Sequence, residues 1–217
     1  LVISGKGEVP SYTENSVTDE EGKTKVDVDT PWNEKLSSIK NVTVKKGIIK
    51  VGDYAFAYLT KVEDVKLPES VTSLGNGIFR GCSSLEKVTL PQGIVSIGNS
   101  AFYLCEKLGT INLPDTLKTI GNSAFKNCTS LKNITIPNGV TEINAGAFQG
   151  CSSLSEIVIP DSVTSIGDWA FEDCTSLTSV TIPDSVTNIG EYAFSDCAGL
   201  TSVTIPDSIT SIENYAF

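Results

Sequence analysis

The chain has no histidine and no methionine among its 217 residues, and no basic residue beyond Lys132. Without histidine, the commonest general base and the commonest metal ligand are both missing. There is no Gly-rich phosphate loop, no close Cys pair of the kind that holds zinc, and no irregular insertion to form a cleft. No catalytic residue, metal ligand set or cofactor can be assigned, and the expectation is a protein that is not an enzyme. No apolar run reaches the ~20 residues that span a bilayer. The net charge of −10 counts against a nucleic-acid backbone or an anionic membrane as partner. That charge is unevenly placed. All 16 Lys and Arg lie between Lys6 and Lys132, where 15 acidic residues leave a balance of +1; from Asn133 onward there are 11 acidic residues. Such a skew fits repeats drifting toward a common Asp/Ser/Thr-rich unit, or an acidic binding surface.

What is present is a period. Phe occurs at 56, 79, 102, 125, 148, 171, 194 and 217, always 23 residues apart, and Cys at 82, 105, 128, 151, 174 and 197 keeps the same step. Seven of the nine prolines, from Pro68 to Pro206, follow it too. Self-similarity at ~20–29 residues is the signature of a leucine-rich-repeat solenoid, in which each coil buries its apolar face only against its neighbours.

One unit, Gly167 to Ile189, shows the logic. Ala170, Phe171, Cys174 and Leu177 are spaced i, i+1, i+4, i+7, which predicts a short helical turn with one inward face. Val180 and Ile182 alternate with Ser179 and Thr181, the pattern of a half-buried parallel strand. Pro183 ends that strand, Pro-Asp-Ser reads as a turn, and Val186 with Ile189 suggests a second short strand. The column Gly52, Gly75, Gly98, Gly121, Asn144, Gly167, Gly190 holds only residues that tolerate a left-handed backbone, so a positive φ is expected there; Glu213 breaks the column without an evident reason.

The solenoid is expected from residue 36 to residue 217, as a β-rich stack of 23-residue coils. In its first coil Lys45 replaces proline, and Leu59 and Val62 stand where later coils have Cys and Leu. Residues 1–35 show no repeat character and are read as an N-terminal capping segment. They hold the apolar start Leu1-Val2-Ile3, Gly5 and Gly7, a polar stretch from Thr13 to Lys25, and Pro31-Trp32. Trp32 is a candidate lid over the first hydrophobic floor. No matching cap follows at the other end, and with a start at Leu1 and a stop at Phe217 inside a repeat the sequence reads as a piece of a longer protein.

Four columns could carry function. The cysteines share one inward column, where parallel side chains at the ladder spacing of ~4.8 Å do not converge as a disulfide requires, so buried reduced thiols are expected. Asp161, Asp184 and Asp207 stack at the turn after Pro, as solvated turn residues or a loose divalent-cation site. The outward strand positions Thr43, Lys66, Thr89, Asn112, Thr135, Val158, Thr181 and Thr204 vary in type while the columns beside them do not. Together with the neighbouring outward column from Asn41 to Ser202 they form one contiguous polar strip, the candidate partner-binding face. The last column, two residues before each Phe, reads Tyr54, Gly77, Ser100, Ser123, Gly146, Trp169, Tyr192, Tyr215. Its run of Trp169, Tyr192 and Tyr215 could pack over the turns, or hold a sugar chain or a partner's aromatic side chain.

The unit Leu-x-x-Val-x-Ile-Pro-x-x-Val-x-x-Ile-Gly-x-x-Ala-Phe-x-x-Cys, seen from Leu154 to Cys174, resembles the BspA-type leucine-rich repeat of bacterial and protist surface proteins. The opening Leu1 to Pro10, Tyr12 and Pro31-Trp32 resemble that family's N-terminal segment. The resemblance implies a secreted or cell-surface interaction module, engaged in adhesion or host-protein binding, with a host extracellular or matrix protein as partner. The alternative is a glycan-binding module using the aromatic strip. The family carries no catalytic set, so no site residue follows from the resemblance itself.

Overall fold

The computed structural model describes residues 1–18 and 24–217, and side chains outside 17–27. Two parallel ladders run the length of the chain. The first joins Val2–Ile3, Asn41–Val44, Asp64–Lys66 and Lys87–Thr89, and resumes as the pairs Asn133–Thr135 with Glu156–Val158 and Ser179–Thr181 with Ser202–Thr204. The second joins Gly7–Val9, Ile48–Val51, Ser73–Leu74, Ser96–Ile97 and Thr119–Ile120, then Glu142–Ile143, Ser165–Ile166 and Asn188–Ile189. Register advances by one repeat at each step, Lys66 beside Thr89 and Ser165 beside Asn188.

Between the second strand of one coil and the first of the next runs a flank of turns. The spacing of Ala170, Phe171, Cys174 and Leu177 predicts a helical turn there; the structure has none. Among the described residues the only helical turn is Asn33–Lys35. Half of the flank amides reach back three residues, as Cys174 does to Phe171 O (3.1 Å), while the others reach the neighbouring coil, as Phe171 does to Ala193 O (2.7 Å). A helix would need all of them for itself.

The core is a pile of like residues. The Phe rings from Phe56 to Phe217 stack in offset fashion at 5.1–5.8 Å between centroids, a geometry that aromatic rings favour. Ala, Leu, Val and Ile columns fill the space around them and are buried in the interior coils, except for the partly buried Leu67 and Leu113.

Residues 1–12 are themselves coil-like: Val2 and Ile3 extend the first ladder beside Thr43 and Val44, and Gly7–Val9 extends the second. Trp32 continues the Phe stack at 5.9 Å from Phe56, with the Tyr12 ring edge-on at 5.7 Å. Glu14–Thr18 pairs antiparallel with Thr24–Val28; within the polar stretch from Thr13 to Lys25, residues 19–23 lie outside the described residues. Glu14 accepts a hydrogen bond from Tyr58 Oη and pairs with Arg80 Nε at 3.0 Å, while the guanidinium sits 4.4 Å from the Tyr103 ring centre. These contacts tie the hairpin to the next three coils.

The glycine column does not have the expected positive φ. None of Gly52, Gly75, Gly98, Gly121, Gly167 and Gly190 is left-handed. The constraint is close approach: a Cβ at Gly75, Gly98 or Gly121 would lie 2.5–2.6 Å from backbone atoms of the preceding coil. The next column explains the squeeze. Side-chain oxygens of Asp53, Asn76 and Asn99 accept the backbone N–H of Asn76, Asn99 and Asn122 at 2.7–2.8 Å, and Asp168 does the same for Glu191. Asn144, the exception among the glycines, donates its Nδ2 to Ile120 O at 2.7 Å.

Candidate interaction surface

The outward positions of the first ladder, Lys66, Thr89, Asn112, Thr135, Val158, Thr181 and Thr204, are all exposed. Pairing places Lys66 beside Thr89, Thr135 beside Val158 and Thr181 beside Thr204, so neighbours along the strip are one ladder step apart. Inward neighbours such as Val65, Val88, Ile134 and Val180 are buried. Alternation thus separates a fixed interior from a face free to vary. Val158 is 66% exposed, an apolar side chain held in water on a polar strip. Lys66 pairs with Asp64 at 3.8 Å with its ammonium largely in solvent, a contact worth little.

Two features of the strip differ from the sequence expectation. It is longer at one end, where Val2, 63% exposed, sits beside Thr43 in the same column. It is also not uniform. In the coil of Asn112 the ladder is reduced to the single bridge Thr110–Asn133, and Thr89, Gln92 and Asn112 frame a depression of about 130 Å³. The backbone pairing is thin there, while Asn112 itself stays exposed in the column.

The aromatic column lies on the flank of turns, and here the left-handed backbone appears. Tyr54, Gly77, Ser100, Ser123, Gly146, Trp169, Tyr192 and Tyr215 all have φ of 53–62°. A second left-handed column four residues on runs from Tyr58 to Asp196. For bulky L-residues this backbone costs ~1–2 kcal/mol each. Bonds to the next coil offset it: the amides of Tyr54 and Trp169 donate to Asn76 O and Glu191 O at 2.8 and 2.9 Å. Trp169, Tyr192 and Tyr215 stack on one another at 6.3 and 4.9 Å. Stacking takes up both faces of Tyr192 and one face each of Trp169 and Tyr215.

The thiols of Cys82, Cys105, Cys128, Cys151, Cys174 and Cys197 are free and buried. Each donates to the carbonyl of a Phe one coil back, 3.1–3.3 Å away. Burial pushes Cys82 up to about 12 and Cys197 to about 11, and raises the other four as well. Asp161, Asp184 and Asp207 stand exposed at their turns, and no described cluster of three or more acidic or Cys side chains is arranged to hold a metal. The serines one position on do more than turn the chain: Ser162, Ser185 and Ser208 donate to Val140, Val163 and Val186 carbonyls at 2.6–2.7 Å.

Two stretches, residues 34–155 and 141–217, match the model of the BspA type leucine rich repeat region, with six copies. The chain belongs to the BspA-type leucine-rich-repeat family. A Treponema pallidum leucine-rich-repeat protein of solved structure is 27% identical, with a TM-score of 0.71 over 87% of this chain and 88% of that one. A leucine-rich cell surface protein from Faecalibacterium prausnitzii is 31% identical, with a TM-score of 0.73 over 88% of this chain and 52% of its own. A Bacteroides ovatus leucine-rich-repeat protein is 28% identical, with a TM-score of 0.63 over 92% of this chain and 59% of its own. The chain thus spans little more than half the length of the last two. No curated protein matches. Repeats of this family and fold typically serve as interaction modules. Among the described residues no helix is long and apolar enough to cross a membrane.

Proposed function

We propose that this chain is a cell-surface or secreted interaction module that holds a host extracellular or matrix protein along the outward strip of its first ladder, in an adhesive role. The observation that carries the reading is the contrast within that ladder: Lys66, Thr89, Asn112, Thr135 and Val158 are exposed and change type from coil to coil, and Thr181 and Thr204 continue the exposed column, while the columns beside them stay apolar, buried in most coils and partly buried at Leu67, Leu113, Val203 and Ile205. Packing does not permit Lys, Asn and Val to exchange in one column unless that column lies outside the core. A shallow, hydroxyl-rich face of this kind suits a broad contact of many modest terms with a few anchors, not a deep small-molecule pocket. Surface location draws support from the Faecalibacterium relative, which is described as a cell surface protein. The immobilised chain should be offered a panel of host extracellular-matrix proteins. Saturable capture of at least one of them is expected; capture of none would sink the proposal.

A further inference from the structure

We propose that Trp169 walls a subsite for a single pyranose ring, seated beside Gly146, the position in its column that leaves the Trp169 face without a ring, on the flank of turns. This site lies on a different face from the strand strip and does not rest on the reading given above. In the left-handed column each side chain leans over the next coil: the Tyr54 ring occupies the space a Cβ at Gly77 would need, and Trp169 stacks on Tyr192 as Tyr192 does on Tyr215. The face of Trp169 turned toward the preceding coil therefore has no ring against it, because position 146 is Gly. One coil step along the Phe stack is 5.1–5.8 Å, and a ring in van der Waals contact needs ~3.5–4 Å. One vacated layer holds one ring.

The surroundings favour a sugar over an aromatic side chain. A depression of about 440 Å³ is lined by Asn122, Ser123, Lys126, Gly146, Gln149 and Trp169, with Ala145. Ser123 Oγ and Gln149 Oε1 lie 3.1 and 3.3 Å from where a Cβ of residue 146 would stand, so both face the empty layer. Neither has a hydrogen-bond partner among the described residues. Gln149 is held by its amide nitrogen, which donates to Glu172 and leaves the oxygen pointing into the site. An aromatic wall ringed by an amide oxygen, a hydroxyl, a second amide and an ammonium matches a ring that is apolar on its face and hydroxylated at its edge.

The backbone supplies a clean test, because the same left-handed conformation already carries Tyr at 54, 192 and 215 and Ser at 100 and 123. Gly146→Tyr should fold and extend the aromatic stack by one ring, filling the layer; Trp169→Ser should fold and remove the wall. Saturation-transfer NMR would be run on the whole chain with methyl glycosides of glucose, galactose and N-acetylglucosamine, and with the N-acetyl amides of Phe and Tyr. At least one glycoside should receive saturable transfer, weakened tenfold or more in each variant, with each variant still unfolding cooperatively. Absence of transfer to every glycoside, or transfer undiminished in Gly146→Tyr, would overturn the proposal. So would Gly146-dependent binding of the aromatic amides alone. If Gly146→Tyr did not fold, undiminished transfer in Trp169→Ser would overturn it equally.

Discussion

Cys128 Sγ donates to the carbonyl oxygen of Phe102, 26 residues upstream, at 3.1 Å, and that same oxygen also accepts the amide of Cys105. Each thiol of the column donates to a Phe carbonyl in the same way and is buried, Cys197 the least completely. Thiol reagents should therefore find almost nothing in the native protein and six equivalents after denaturation without reductant. Fewer than six would mean that disulfides form. Cys128→Ser should cost only ~1 kcal/mol, because the hydroxyl inherits a waiting acceptor and buries no unpaired group.

The same burial gives a pH dependence. A thiol raised above its ordinary value of 9.0 keeps its proton in the folded state after the unfolded chain has lost it. Stability from the six thiols is thus complete below about pH 9 and declines as pH rises from there through 11–12, the folded values of Cys197 and Cys82. The slope approaches ~1.4 kcal/mol per pH unit for each thiol. Denaturant midpoints at pH 8, 9, 10 and 11 should be level at first and then fall; a flat profile to pH 11 would contradict the buried column.

Phe125 lies between Phe102 and Phe148, with rings at 5.2 and 5.5 Å. Phe217 has a ring neighbour on one side only and is 46% exposed. Phe125→Ala should cost ~3–5 kcal/mol and Phe217→Ala far less. Chemical denaturation of the two variants measures the difference. Equal losses would be incompatible with a core built floor on floor.

Gly98→Ala should destabilise by ~1–3 kcal/mol, because its methyl would come within 2.6–2.7 Å of Gly75 and Asn76 backbone atoms, which cannot swing aside. Gly146→Ser should cost about 1 kcal/mol, the penalty of a left-handed backbone that Ser123 already bears. A Gly98→Ala variant as stable as the parent would contradict the close approach.

The inward columns were legible in the sequence because burial repeats identities: Phe, Cys, Leu, Val and Ile recur where each must fit the same neighbour one step away. The flank was not. Spacing of i, i+4 and i+7 marks one face of a helix, but the same spacing serves a chain of turns whose amides are claimed by the next coil. The left-handed column was hidden because Tyr, Trp and Ser are poor indicators of positive φ, while the glycines beside them drew the attribution. The Asp53–Asn76–Asn99 ladder was missed although Asn recurs in that column at 76, 99 and 122, a signal that could have found it. Residues 1–12 carry no repeat, yet Val2–Ile3 and Gly7–Val9 pair as strands of the two ladders. They are joined by a shorter loop with Gly5 and Gly7 both at positive φ. On the strip, exposure was predictable from alternation; the thin backbone pairing in the coil of Asn112 was not.

The proposed function assigns protein binding to the strand face and not to the flank. Its most direct measurement takes the matrix protein captured best by the parent chain and compares its affinity for Lys66→Glu, Asn112→Glu and Val158→Glu, singly and together. Binding should weaken stepwise, by ~0.5–2 kcal/mol at each change, with the fold intact by thermal unfolding. Lys66→Glu should also alter the salt dependence, because it reverses a charge. Full affinity in the triple variant, together with loss of binding in Trp169→Ser and Tyr192→Ser, would contradict the account and move protein recognition to the flank.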